Sequence, residues 1–216
     1  MEHARPTTPP ERVWRDDRLL RAERRDGPPG AKLVLGLDLG TQLGFAYAWL
    51  TPGEPLDWSK VPVFVGRYDL SASEWETRAV QLVRLHRFLH AIDPDLICFE
   101  EVRNTPGRDK VTKFNIGAVM AAAATAAQFF GAMMGAVGLW AEARGVPCAA
   151  VPIAAVKKRA TGRGNASKED VAAACNEAFG TSFDVTRLDA TGEHNAADAA
   201  WVLVCGAERH VDGLGG

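Results

Sequence analysis

An α/β domain built on a mixed sheet is the fold this sequence predicts, and three observations carry the prediction. Three strand-like runs follow one another between residues 33 and 70. After them, strand-like and helix-like patterns alternate. The 216 residues, 47% hydrophobic and 24% charged, suffice for one sizeable core and a tail. The expected organisation is an arm over residues 1–30, disordered or partly helical, a domain over 31–210, and a flexible end over 211–216.

Each element has its own signal. The arm is rich in Pro, Arg, Asp and Glu and ends in "RRDGPPGAK", where Pro and Gly break any helix; "ERVWRDDRLLRAERR" has the makings of one or two amphipathic turns. "LVLGLDL" reads as a strand, "GTQLG" as a tight turn and "FAYAWL" as the returning strand of a hairpin. "VPVFVGRYDL" is a third strand. "SASEWETRAVQLVRLHRFLHAI" reads as a helix capped by Ser71 or Ser73, with Val80, Leu82, Val83, Leu85 and Leu89 at helical spacing. "DPDLICFEEV" turns at Asp93-Pro94 into a fourth strand, a long Ala-rich helix follows, and "GVPCAAVP" is the fifth strand. "SKEDVAAACNEAFG" and "EHNAADAAWVLVCGAERH" read as two further helices.

Composition narrows the functional classes. A formal net charge of −2 gives no overall basic field, so any nucleic-acid contact must come from local clusters. Cys98, Cys148, Cys175 and Cys205 are far apart and form no CxxC pair, so buried free thiols in a reducing compartment are expected rather than a zinc site. The N-terminus has no apolar secretory segment, and a cytoplasmic location is the expectation. Residues 114–141 are long and apolar enough to span a bilayer. Ala and Gly dominate them, however, and contribute little transfer energy. A helix in the core or in a dimer interface is expected instead, with Gly131, Gly135 and Gly138 allowing close backbone approach, and no membrane partner.

Three carboxylates stand in apolar surroundings: Asp38 in the first strand, Glu100 at the end of the fourth, and Asp198 in the last helix. A charge in such surroundings is costly unless paired. If strands one and four pair and the helix packs across them, the three anions meet and repel unless a cation neutralises them. Hard oxygen ligands suit Mg²⁺ or Mn²⁺. Two such ions about 4 Å apart activate a water and stabilise the leaving oxygen in phosphodiester cleavage.

The motifs "LGLDLGTQLGFAYA", "DLICFEEV", "VPIAAVKKRATGRGNASKEDV" and "HNAADAAWVL", in that order, resemble the RuvC family of Holliday-junction resolvases over roughly residues 32–207. The resemblance implies a ribonuclease H-like fold, a five-stranded mixed sheet with helices on both faces. It also implies a homodimer, joined through the helix around 114–141, that cuts four-way or otherwise branched DNA with Mg²⁺, or Mn²⁺ in its place. Asp38, Glu100 and Asp198 match the metal-binding positions. Glu101 should point to the opposite side of its strand, which favours Glu100, with Glu101 the alternative one register away as a metal ligand or as a group supporting one.

Two basic clusters flank these acids. In "VKKRATGRGNASKEDV", similar to the family's basic loop and following helix, Lys157, Lys158, Arg159, Arg163 and Lys168 offer sequence-blind phosphate contacts. Lys168 is expected nearest the scissile phosphate, as a catalytic residue. In "RNTPGRDKVTK", Arg103, Arg108, Lys110 and Lys113 are expected to grip a DNA strand. The chain departs from the family at two places. Arg103 stands where a wedging aromatic is common. Asn195 stands where an acid or His is usual, preceded by His194, so an uncharged carbonyl oxygen or the imidazole is the ligand expected for a second metal. Two other readings stay open: a weak or inactive module that binds branched DNA, and an actin-like ATP-binding domain suggested by "DLGT", for which no second glycine-rich phosphate loop is evident.

Overall fold

The computed structural model describes residues 13–14, 16–23, 26–101 and 116–215. In chain order the elements are β1 (Val13–Trp14), α1 (Asp17–Glu23), β2 (Lys32–Asp38), β3 (Gln42–Leu50), β4 (Phe64–Asp69), α2 (Ala79–Ile92), β5 (Leu96–Glu101), α3 (Ile116–Arg144), β6 (Cys148–Pro152), α4 (Ile153–Thr161), α5 (Lys168–Phe179), α6 (Leu188–Thr191) and α7 (Glu193–His210), followed by a 3-10 turn, Val211–Gly215. The sheet order is β1-β4-β3-β2-β5-β6. β2, β3 and β4 form an antiparallel meander, while β5 and β6 run parallel to β2.

The five expected strands are present, with a sixth added at the edge. Val13 and Trp14 pair in parallel with Arg67 and Tyr68 of β4, and the Trp14 ring packs on Phe45 at 5.4 Å between centroids. Leu20 of α1 is buried as well, so this part of the arm covers the sheet. A two-residue strand leaves no alternating pattern to read, which is why the sequence did not announce it.

Alternation along the strands separates two cores. Leu33, Leu35, Leu37 and Ile97 face α2 and α3, meeting Phe88, Leu89, Met133 and Val137. Val34, Ala46, Ala48, Leu96 and Cys98 face α7, with α4 and α5 beside it. Helix α7 lies almost on the sheet backbone. A Cβ on Gly44 would collide with the Asn195 carbonyl, one on Gly36 would lie 2.5 Å from the Ala199 oxygen, and one on Gly206 would strike the Cys98 sulfur. Gly44, expected in a turn, sits inside β3 opposite Arg67 of β4 and serves this close approach.

Two further boundaries differ from expectation. Helix α2 begins at Ala79, and neither Ser71 nor Ser73 caps it. The backbone N–H of Ser73 donates to Glu76 (2.8 Å), Glu76 is held by Arg84 at 3.0 Å, and the N–H of Ser71 donates to Asp69, so residues 71–78 are held as a loop. The segment carrying Lys157, Lys158 and Arg159 is helical, not a loop. It continues to Thr161 and stops where Gly162 takes φ 78°. Helix α3 meets the length and hydropathy of a membrane-spanning segment, but Met133, Val137, Trp140 and Ala141 are buried in the core. Of the cysteines, Cys98, Cys175 and Cys205 are buried; Cys148 is exposed because β6 is an edge strand.

Candidate active site

Strand register brings the first two acids together. Pairing of β2 with β5 runs from Val34–Leu96 to Leu37–Phe99, so Asp38 and Glu100 are next in line. Glu100 alternates with Leu96 and Cys98 and therefore faces α7; it is 8% exposed. Glu101 alternates with Ile97 and Phe99 and faces the other way. Asp198 comes from α7, one residue before Ala199, whose carbonyl lies over Gly36.

The three carboxylates feel one another. Burial, then Glu100, then Asp198 hold the Asp38 carboxyl well above the usual carboxylate range, with Lys168 opposing. Burial and the charge of Asp198 push Glu100 up to about 7, opposed by Lys157. Burial lifts Asp198 to about 6 against the pull of Lys157 and Lys168. Anions raised together, rather than quenched by an Arg, call for an added cation.

The fit of a divalent metal follows from this donor set. All three acids offer hard oxygens, and their mutual repulsion is what a dication would relieve. Among the described residues, however, no three His, Cys, Asp or Glu side chains stand close enough together to hold a metal ion between them. Magnesium does not require such a cage, because it is held by one or two carboxylates together with water and substrate phosphate. The residues fit as an open site.

Two lysines face these acids. Lys168 is the first residue of α5, placed by a capping box in which Ser167 and Asp170 bond reciprocally at 3.1 Å. Lys157 projects from α4, and its Nζ donates to the Ala166 carbonyl at 2.8 Å, which also ties α4 to the start of α5. Sequence reading placed Lys157 among general DNA contacts. Its effect on Glu100 and Asp198 is not legible from a segment that reads as a loop.

The remaining candidates take varied positions. Asn195 Nδ2 donates to the Gln42 carbonyl at 2.8 Å, fixing the amide so that its oxygen points away from that carbonyl. His194 Nδ1 lies 3.2 Å from the Leu188 carbonyl, so this nitrogen carries the proton. Lys158 is exposed. Arg163 pairs with Asp170 at 3.0 Å, whereas Arg159 is drawn off to Glu208 at 2.7 Å. Arg103, Arg108, Lys110 and Lys113 lie outside the described residues.

A central meander with parallel strands added on one side, helices on both faces and acids at the ends of β2 and β5 define the ribonuclease H-like class of α/β fold. Solved structures carry the comparison to a particular form. The Thermus thermophilus RuvC structure aligns at TM-score 0.52 and 22% identity, over 83% of this chain and 97% of that one. T. thermophilus RuvC in complex with Holliday junction substrate aligns at TM-score 0.54 and 22% identity over the same shares. The yeast mitochondrial Holliday junction resolvase Ydc2 gives TM-score 0.43 and 16% identity, over 92% of this chain and 87% of that one, too low to bear on the argument. No family model matches the sequence, and no curated protein matches it. The fold is that of RuvC.

Proposed function

We propose that this chain is a RuvC-family nuclease, a metal-dependent endonuclease that hydrolyses phosphodiester bonds in four-way or otherwise branched DNA and acts as a homodimer. The observation that carries the reading is that Asp38 and Glu100 lie at the same end of the paired strands β2 and β5 and Asp198 on the helix packed over them, near enough to raise one another's pKa against Lys157 and Lys168. Asp38, Glu100 and Asp198 would hold Mg²⁺ or Mn²⁺. The chemistry two such ions supply when bound is activation of a water and stabilisation of the departing oxygen.

The chain's own residues do the positioning. Lys168, at a helix N-terminus whose dipole also favours an anion, and Lys157 would take the oxygens of the phosphate brought to the acids. Asn195, anchored on β3, would present its carbonyl oxygen at the edge of the same site. Lys158 and Arg163 extend the basic surface along the DNA backbone.

The experiment is cleavage of an end-labelled four-way junction by wild type and by Asp38→Asn, in Mg²⁺ and in Mn²⁺. Paired symmetric nicks in wild type and at least 100-fold slower cutting in the variant are expected, the scale on which loss of one transition-state charge contact acts. Cutting of linear duplex with none on junctions would overturn the substrate. The uncharged Asn195 and the open arrangement of the acids favour a second reading, a module that holds branched DNA without cutting it. Tight junction binding with no nicks at any concentration of either metal would establish that reading.

A further inference from the structure

Trp75 is the large apolar side chain most at odds with its surroundings, 88% exposed among the described residues. Its loop is not loosely held. Arg84 NH2 donates to both oxygens of Glu76 at 3.0 Å, and Arg84 NH1 donates to the Ser71 carbonyl. The N–H of Leu70 donates to the Thr41 carbonyl at 2.8 Å, fastening the start of the loop to the turn after Asp38. Gln42 adds a side-chain bond to Asp69 at 2.9 Å and another to Ser71 at 3.2 Å. An indole carried on a fastened loop is presented at little conformational cost.

Topology sets where it is presented. Asp38 ends β2, and Gln42 at the start of β3 pairs with Asp69 at the end of β4. The Trp75 loop therefore leaves the sheet at the end where the acids lie. Two strand spacings, about 10 Å, separate β4, which leads into the loop, from β2, which ends at Asp38. Behind the loop lies a cleft of about 650 Å³ lined by Thr41, Ser71, Arg78, Gln81 and Phe129, among others, large enough for a nucleotide and furnished with hydroxyl, amide and guanidinium donors. Arg78 is exposed and stands three residues from Trp75.

We propose that Trp75 is a base-stacking residue that receives a nucleobase unpaired at the branch point, at the same end of the sheet as the acids, with Arg78 holding that nucleotide's backbone. An exposed indole offers any base a π-face, which makes the contact tolerant of sequence but selective for unpaired DNA. The inference rests on the branched-DNA reading above and assigns the element that recognises the branch.

The test uses the full chain carrying Asp38→Asn, so that DNA binds without being cut, and a four-way junction with 2-aminopurine substituted in turn at positions around the branch. Trp75→Ala is expected to weaken junction binding about tenfold, in line with the loss of one stacked base. Trp75→Phe should restore most of it, and linear duplex affinity should not change. One 2-aminopurine position should be quenched by the protein with Trp75 and not by Trp75→Ala. Equal junction affinity and equal quenching with and without Trp75 would overturn this proposal while leaving the nuclease reading intact. Sedimentation showing that Trp75→Ala disrupts self-association, with junction binding per dimer unchanged, would also overturn it. Absence of junction binding by the parent protein would remove both.

Discussion

At Glu100, stability and function pull in opposite directions. Burial and the neighbouring Asp198 raise its carboxyl to about 7 from an ordinary value of 4.5. The folded chain holds that proton more tightly than the unfolded chain, so protonation favours the fold. The contribution is complete below pH of about 4.5 and is lost as pH rises through about 7. Asp198 acts in the same sense between 3.8 and about 6. In the presence of a chelator, the melting temperature is therefore expected to fall from mildly acid to mildly alkaline pH. Glu100→Gln should flatten that fall and stabilise the protein above neutrality by roughly 1–3 kcal/mol. Thermal melts of both proteins across pH check this, and parallel curves would refute it. Adding Mg²⁺ should raise the wild-type melting temperature at high pH more than that of the variant.

At the scale of elements, the seam between α7 and the sheet decides whether Asp198 reaches the acids on the strands. Three glycines let the helix approach this closely: Gly36 and Gly44 take main-chain atoms of α7 against the strands, and Gly206 on α7 leaves room for the Cys98 side chain. Gly44→Ala would drive a methyl into the Asn195 carbonyl, three residues from Asp198. Forcing extra volume into such a packed seam is expected to cost roughly 2–3 kcal/mol, read as a lower urea midpoint with an unchanged m-value. Junction cleavage should drop even where the protein remains folded, because α7 is pushed off its seat. Much of this arrangement was legible beforehand. Apolar alternation marked β2 to β6, and an isolated acid in each of two strands and one helix marked the candidate site that the fold brings to one end of the sheet, because an unpaired charge in apolar surroundings is costly wherever the chain folds. Other features were not legible. Nothing local distinguishes Gly44 in a strand from Gly44 in a turn until α7 is seen lying on it. The start of α2 depends on Arg84 reaching back to Glu76 and Ser71, eight and thirteen residues away. β1 is too short to carry a period. Lys157 joined the site only once α4 proved helical.

For the whole molecule, the proposed symmetric cutting of a four-way junction would require two active sites, and the proposed homodimer would place its second copy on α3. One side of α3 is buried, whereas Leu139 is 74% exposed and Val83 of the neighbouring α2 is 47% exposed. The two line a groove of about 540 Å³ with Leu82, Ala136 and Trp140. A Cβ added to Gly131, Gly135 or Gly138 would meet nothing within 4 Å among the described residues, so this face of the backbone has room for a partner helix. A two-fold pairing places this patch against itself, so one charged substitution acts twice in the interface. Leu139→Glu is expected to convert a concentration-dependent dimer into a monomer by sedimentation velocity, with a folding midpoint unchanged at high dilution because the side chain is exposed in the single chain. On a junction labelled on both target strands, the monomer should release singly nicked products where wild type releases paired nicks. Paired nicking by a monomeric Leu139→Glu protein would mean that a different surface, or a second encounter, supplies the other active site.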